Sequence, residues 1–413
     1  MAKQNILVVP PFNTNGGVGF FRSIQPHIQL EKQFPEEFSV TIDVKPEWDN
    51  IDSFKKYDLI HIHISRAIGD AKFVSVIEKL KELGIVLVTD IDDYWKLDFR
   101  HPQFAGSRFN HMENEVKGLL KRFDYVTTTT PIFAKEIKTY NKNVVVLENA
   151  INPEDKEFQV NKEPSDRLRI GFVMGSTHEK DMEIIGKISE SLTKEELDKV
   201  QFVLCGFDTR GVIREILPNG QVREKSIDPD NSVWSRYERI VTSDYKIITP
   251  EHKAFLKQYL PNIEYPNYKN SSYRRCWTRS MSEYFQHYNN IDILLVPLET
   301  SDFNRVKSPL KVVECAFSHT GIVASEFGPY TLDLKSAFQK GGTIDPNGNS
   351  LLVEPSKNRK NWLRFIKMLI ANPKLVKQLQ DNLYNDVHEK YDLRNVTVKR
   401  YNEYKKMIEN KTK

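Results

Sequence analysis

One pattern constrains this chain more than any other: short runs rich in Val and Ile alternate with longer stretches whose apolar residues fall at helical spacing. Segments 5–9 (NILVV), 59–64 (LIHIHI), 85–89 (IVLVT), 125–128 (YVTT) and 144–147 (VVVL) are bounded by turn residues and predict five strands. Between them, 71–83 (AKFVSVIEKLKEL) carries apolar Phe73, Val74, Ile77 and Leu80 with charges interspersed and stops at Gly84, which predicts an amphipathic helix. Helices are likewise expected over 111–122 and 131–140, one on each side of the 125–128 strand. This order of elements specifies an α/β architecture with parallel strands and crossover helices, and argues against sandwiches and bundles.

A polar, proline-containing stretch over 152–167 (NPEDKEFQVNKEPSDR) interrupts the series and has the composition of an interdomain linker. A second series follows, with expected strands at 169–173 (RIGFV), 201–205 (QFVLC), 291–297 (IDILLVP), 321–324 (GIVA) and 351–353 (LLV). Two Rossmann-like halves are therefore expected. Residues 208–290 hold aromatic, Arg and Pro clusters with weaker periodicity, and the tail, 359–370 and 374–413, has the pattern of charge-rich helices broken around Asn372 and Pro373.

The length of 413 residues accommodates two large domains. Lys and Arg number 60 against 56 Asp and Glu, so a net charge of +4 does not mark an electrostatic binder of nucleic acid or membrane. The apolar stretches 6–12 and 293–298 fall far short of the ~20 residues of a membrane helix, so no integral membrane segment is expected. Pro10 and Pro11 halt the first apolar run too early for a signal peptide. Cys205, Cys276 and Cys315 lie far apart without CxxC or CxxH spacing, which predicts neither a disulfide framework nor zinc, and a reducing cytoplasm is the expected compartment.

Several segments could carry chemistry. After the first strand, Asn15-Gly16-Gly17-Val18-Gly19 precedes an expected helix, where glycines admit a ligand close to the backbone and helix amides favour phosphate. The spacing is not GxGxxG, and a plain tight turn is the alternative. At the carboxyl end of the third strand stands Asp90-Ile91-Asp92-Asp93, where ligands of open α/β sheets bind. Asp92 and Asp93 could contact substrate, cap a helix or hold a divalent metal; with no companion acidic cluster, substrate contact is preferred over metal. His61 and His63 alternate along one strand as core or cleft-edge residues, and His101 follows in an irregular segment as a further catalytic candidate.

In the second half, Gly175-Ser176-Thr177-His178-Glu179-Lys180 forms a turn before an expected helix; Ser176 and Thr177 could cap it, or join Lys180 on a phosphate. The richest segment is Asp302-Phe303-Asn304-Arg305-Val306-Lys307-Ser308-Pro309-Leu310-Lys311-Val312-Val313-Glu314, following the 291–297 strand. Pro309 suits a first helical turn, Lys307 brings charge beside its amides, and Glu314 could accept ribose hydroxyls; a Lys311–Glu314 surface ion pair is the structural alternative.

With these segments on two Rossmann-like halves, the sequence resembles the GT-B glycosyltransferases, specifically retaining family 4, most closely over 292–325. The resemblance implies two Rossmann-like domains facing across a cleft, with a C-terminal helix crossing back to the first. Boundaries are expected at 1–166 (acceptor side), 167–385 (nucleotide-sugar side) and 386–413 (returning helix). It implies a hexosyl or pentosyl transferase that moves a sugar, with retention, from a nucleoside-diphosphate sugar, expected to be a UDP-sugar, onto a hydroxyl, with neither metal nor cofactor. By this resemblance Lys307 and Lys180 hold the diphosphate, assisted by Ser176 and by the amides of Ser308 and Leu310, while Glu314 takes the ribose and Gly16 and Gly17 abut the donor phosphate. Asp92, Asp93 and His101 are then the catalytic candidates, orienting acceptor or sugar.

The family's Glu-x7-Glu spacing meets Val306 where its first glutamate stands, which leaves Glu299, Asp302 or Asn304 as substitutes. The acceptor is expected to be a glycan, a lipid-linked sugar or modified DNA. The DNA alternative, transfer to a hydroxymethylated base, is motivated by Tyr273-Arg274-Arg275-Cys276-Trp277-Thr278-Arg279, where basic and aromatic residues could grip nucleic acid or else pack and be solvated. A non-catalytic sugar-binding or scaffold protein is the third reading.

Overall fold

A computed structural model describes residues 3–70, 72–101, 103–216, 221–258, 263–355 and 359–411. Ala71, where the expected 71–83 helix begins, and residues 412 and 413 of the expected tail lie outside them. The chain forms two compact units: Met1–Pro153 with Thr300–Val313 and Val387–Lys413, and Glu154–Glu299 with Glu314–Asp386.

The first unit holds a six-stranded sheet of order β2-β1-β3-β4-β5-β6, built from β1 (Gln4–Val9), β2 (Phe38–Ile42), β3 (Leu59–His63), β4 (Val86–Asp90), β5 (Tyr125–Thr128) and β6 (Val144–Val146). Every pairing is parallel. Parallel strands are covered on both faces, which is why β1, β3 and β4 are near-continuous apolar runs. Alternate residues face opposite ways. Leu7, Val9, Ile60, Ile62 and Leu87 meet Phe73, Ile77, Leu80 and Phe133, whereas Ile6, Val8, Leu59, Val86 and Val88 meet Leu30, Tyr404 and Met407. The second of these layers is closed by the helix Leu393–Lys411, so the far end of the chain belongs to the first unit's core.

Differences from expectation are local. The expected 111–122 helix is Met112–Leu120, preceded by a separate short helix Phe104–Phe109, and β2 is an added edge strand whose half-exposed FSVTI lacks a solid apolar run.

The second unit repeats the plan: β7 (Leu168–Val173), β8 (Val200–Phe207), β11 (Tyr273–Trp277), β12 (Ile293–Val296), β13 (Gly321–Ser325) and β14 (Leu351–Val353) form a parallel sheet of order β11-β8-β7-β12-β13-β14. A separate hairpin pairs β9 (Val212–Ile216) with β10 (Val222–Ser226). The linker-like stretch is pinned to this unit. Lys162 Nζ donates to Tyr288 O (2.9 Å), to Thr320 Oγ1 (2.7 Å) and to Ile291 O, and its burial lowers the ammonium pKa to about 8. No helix among the described residues is long and apolar enough to cross a membrane.

Candidate active site

The carboxyl ends of β1, β3 and β4 in the first unit gather most of the polar residues singled out in the sequence. Beyond β1 the glycine turn is shaped by close approach at one position: a Cβ on Gly19 would lie 2.9 Å from Asn13 O, whereas Gly17 faces open space and Gly16 would crowd only the Asn13 side chain. The turn passes into a π-helical segment, Gly19–Ile24, that carries Arg22 inward.

Arg22 and Asp90 are each 1% exposed and form a two-pronged ion pair, Nη2 to Oδ1 at 2.6 Å and Nε to Oδ2 at 3.0 Å. Burial opposes the Asp90 charge, but the adjacent guanidinium outweighs it and holds the carboxyl down at about 2. Arg22 Nη1 also donates to Leu147 O (2.5 Å) and Asn149 Oδ1 (3.0 Å), and Asn149 Nδ2 in turn donates to Ser308 Oγ (3.2 Å). A buried charge thereby fixes Asn149, which positions Ser308. Asp90 was visible in the acidic run after the third strand, but its pairing with Arg22, and the part played by Asn149, were not, because a partner 68 or 127 residues away leaves no local spacing.

At the ends of β3 and β4, His63 Nε2 donates to Asp92 Oδ1 at 3.2 Å and its Nδ1 lies 2.8 Å from Ser65 Oγ. Burial disfavours protonated His63, yet the Asp92 hydrogen bond and the charges of Asp92 and Asp90 outweigh it and raise the pKa. Asp93 is exposed on its surface although densely surrounded by protein. Desolvation and the Asp92 charge push its carboxyl up to about 6 against the opposing charges of Lys307 and His63. A carboxyl titrating near neutrality beside a cation can exchange a proton or donate a hydrogen bond. No helix begins at Asp92 or Asp93, so the capping alternative is ruled out.

Lys307 Nζ lies 5.1 Å from the Phe303 ring centroid, and the same ring lies 4.9 Å from His101, whose pKa is lowered by burial and by the Lys307 charge. Asn304 is buried in the one-turn helix Asp302–Arg305, capped by Ser301, and the exposed Asp302 pairs with Lys96 at 3.9 Å. Val306, standing where the resembled family has glutamate, is fully buried in the apolar layer with Phe133 and Trp95. A carboxylate there would lie in hydrocarbon, so Val306 fits its surroundings.

In the second unit, Ser176 and Lys180 are exposed, and Lys180 Nζ donates to both Glu183 oxygens at 2.8 and 3.0 Å. Ser176 and Thr177 do not cap the following helix; its N-cap is His178, which makes no capping side-chain bond. Asp181, not singled out in the sequence, accepts from His178 Nδ1 (2.7 Å) and from the Glu299 amide (2.6 Å), anchoring the segment after β12. Glu314 is fully buried on the helix Leu310–Phe317, which follows Pro309 as expected, and its Oε2 accepts from Tyr288 (2.6 Å) and Tyr284 (3.2 Å). Glu314 therefore lies in the core and not at the surface. The Tyr273–Trp277 cluster is likewise corrected: it is buried strand β11, with Arg275 paired to Glu238 at 2.6 Å and Arg274 to Glu264 at 2.8 Å, so neither arginine is solvated and only Arg279 stands exposed.

Solved structures with the same arrangement place the fold. HepE of Anabaena in complex with UDP-glucose superposes with a TM-score of 0.58 at 13% identity, covering 97% of this chain and 99% of that one. The catalytic domain of starch synthase IV from Arabidopsis thaliana, bound to ADP and acarbose, gives 0.59 at 10% identity over 99% and 100% of the two chains. The fold is GT-B. TarM matches the same GT-B frame at 0.51 and 12% identity, over 85% of this chain and 57% of TarM. No protein-family model and no curated protein matches the sequence.

Behind the site, on the face covered by the C-terminal helix, lies a second polar cluster. His27 Nδ1 donates to Ser23 O, and its Nε2 accepts from Tyr404 Oη at 2.8 Å. His61 Nε2 reaches Thr127 Oγ1 at 3.3 Å, and its Nδ1 has no hydrogen-bond partner among the described residues. Burial lowers both histidines, His61 to about 3. The folded state holds His61 neutral while the unfolded chain takes up a proton below about pH 6.5, so stability falls as pH falls. Urea titrations should show a loss of about 2 kcal/mol from His61 alone between about pH 7 and pH 5, and His61→Gln should flatten that slope. An unchanged slope would dismiss this assignment.

Proposed function

We propose that this chain is a glycosyltransferase that moves a sugar from a nucleoside-diphosphate sugar onto an acceptor hydroxyl with retention at the anomeric carbon, in a reducing cytoplasm. The observation that carries it is the group at the ends of β3 and β4: Lys307, a cation, beside Asp93, a carboxyl whose pKa is pushed up to about 6. In this reading Lys307 meets the charge that develops on the departing diphosphate, with Ser308 held for it by Asn149. Gly16 and Gly17 leave room for the phosphates, Asn304 orients the sugar, and Asp92, Asp93 and His101 serve the acceptor side. In the second unit Ser176 and Lys180 serve the phosphates and Glu314 the ribose. UDP-glucose in HepE supports a UDP-sugar as the donor.

Thermal-shift titration with UDP-, GDP- and ADP-sugars tests the donor. A ligand at about 100 times its Kd stabilises by about 2.7 kcal/mol, so one base series should stand apart by several degrees. Glu314→Gln, which keeps shape and removes charge, should weaken donor binding by roughly 10–100-fold. If none of the three sugar nucleotides shifts the transition or is turned over, the enzyme reading fails.

A further inference from the structure

Away from these residues, the second unit brings together three side chains that their sequence positions keep apart. Cys205 on β8 and Cys276 on β11 are direct partners in the parallel register, and the pairing shifts immediately afterwards so that Trp277 meets Phe207. His287, on the 3₁₀ helix Tyr284–Asn290, reaches the same point. The two sulfurs and a ring nitrogen all lie within 4.8 Å of one another, and the residues are 0%, 4% and 3% exposed. A carboxylate stands beside them: Glu264 Oε1 is 4.0 Å from Cys276 Sγ, and its other oxygen accepts from Arg274 Nη2 at 2.8 Å.

We propose that Cys205, Cys276 and His287 bind a zinc ion, with Glu264 as the fourth ligand. Zn–S and Zn–N bonds of about 2.3 and 2.0 Å place tetrahedral ligands roughly 3.4–3.8 Å apart, so the separations among the two sulfurs and the ring nitrogen, at most 4.8 Å, need to shorten by no more than about 1.4 Å. Two thiolates, an imidazole and a carboxylate are the donor set that selects zinc over magnesium or calcium. Charge closes as well. On binding, the two thiol protons leave to solvent; two thiolates and one carboxylate then give −3 against +2, and the Arg274 guanidinium supplies the remaining positive charge. With four protein ligands the site is closed and structural, tying edge strand β11 to β8 and to the helix before β12.

Protein made in zinc-supplemented medium should carry about one zinc per chain by elemental analysis, falling below about a tenth in Cys205→Ser, Cys276→Ser and His287→Asn, and staying near one in Cys315→Ala. Wild-type protein refolded with cobalt alone should show thiolate-to-cobalt charge-transfer absorption in the near ultraviolet, a readout that stands even where a variant does not fold. Substoichiometric zinc with no cobalt band overturns the proposal. So does a Cys205–Cys276 disulfide, recognised as one titratable thiol per denatured chain instead of three. Neither measurement depends on sugar transfer.

Discussion

Arg22→Met is expected to lower the stability of the first unit by about 3–5 kcal/mol, because it strands a carboxylate in the core. Both partners are 1% exposed, and apart from Arg22 the Asp90 carboxylate accepts, among the described residues, only the Thr127 hydroxyl, at 2.6 Å. Acid titration separates this cause from mere loss of packing. In the wild type the carboxyl sits at about 2 in the folded state against 3.8 in the ordinary case, so the pair's contribution is complete above about pH 4 and is lost as pH falls toward 2. Without Arg22, burial, the largest influence on Asp90, is opposed only by the weaker pull of His61 and His63 and by the Thr127 hydrogen bond, so the pKa rises, the folded state binds the extra proton and the variant gains stability on mild acidification. Adding Asp90→Leu should recover part of the loss. A cost below about 1 kcal/mol for the single variant would mean that water or a rearranged neighbour satisfies Asp90.

Lys307→Ala is expected to lower the rate of sugar transfer by roughly 10²–10³-fold, the scale seen when one group aimed at developing charge is removed. The effect should fall on kcat more than on KM, since the negative charge on the leaving diphosphate grows toward the transition state. Lys307 is half-buried and touches the Phe303 ring, so the fold should survive, as circular dichroism would check. A second signature is electrostatic: Lys307 pulls the Asp93 carboxyl down, so its removal should move any Asp93-dependent limb of the pH–rate profile upward. Retained activity with an unmoved profile would remove Lys307 from the reaction.

Strands buried on both faces were legible as solid apolar runs, and β1, β3, β4, β5 and β7 fall within a residue or two of where the sequence predicts them. Strands that miss this signature were not legible. β2 is a half-exposed edge strand, and β11 hides its core role behind Arg274 and Arg275, whose charges are neutralised by Glu264 and Glu238 from distant segments. The same holds at the site. Asp92, Asp93 and Lys307 were visible as charged residues after strands, but Arg22, Asn149 and Asp181 act through partners remote in sequence. Cys205 and Cys276 failed every linear spacing test because a parallel register joins them, not a turn.

The first unit is assembled from three separate stretches of chain, the last being Val387–Lys413. During synthesis, its sheet emerges first but waits with Leu30, Phe38 and His27 uncovered until Tyr404 and Met407 have left the ribosome. All of the second unit, which ends at Asp386, is made within that interval. The order of completion is therefore the reverse of the order of appearance. The long loop closed by the terminal helix makes the first unit the slower to finish, and the one whose bare apolar face is exposed to chaperones while it waits.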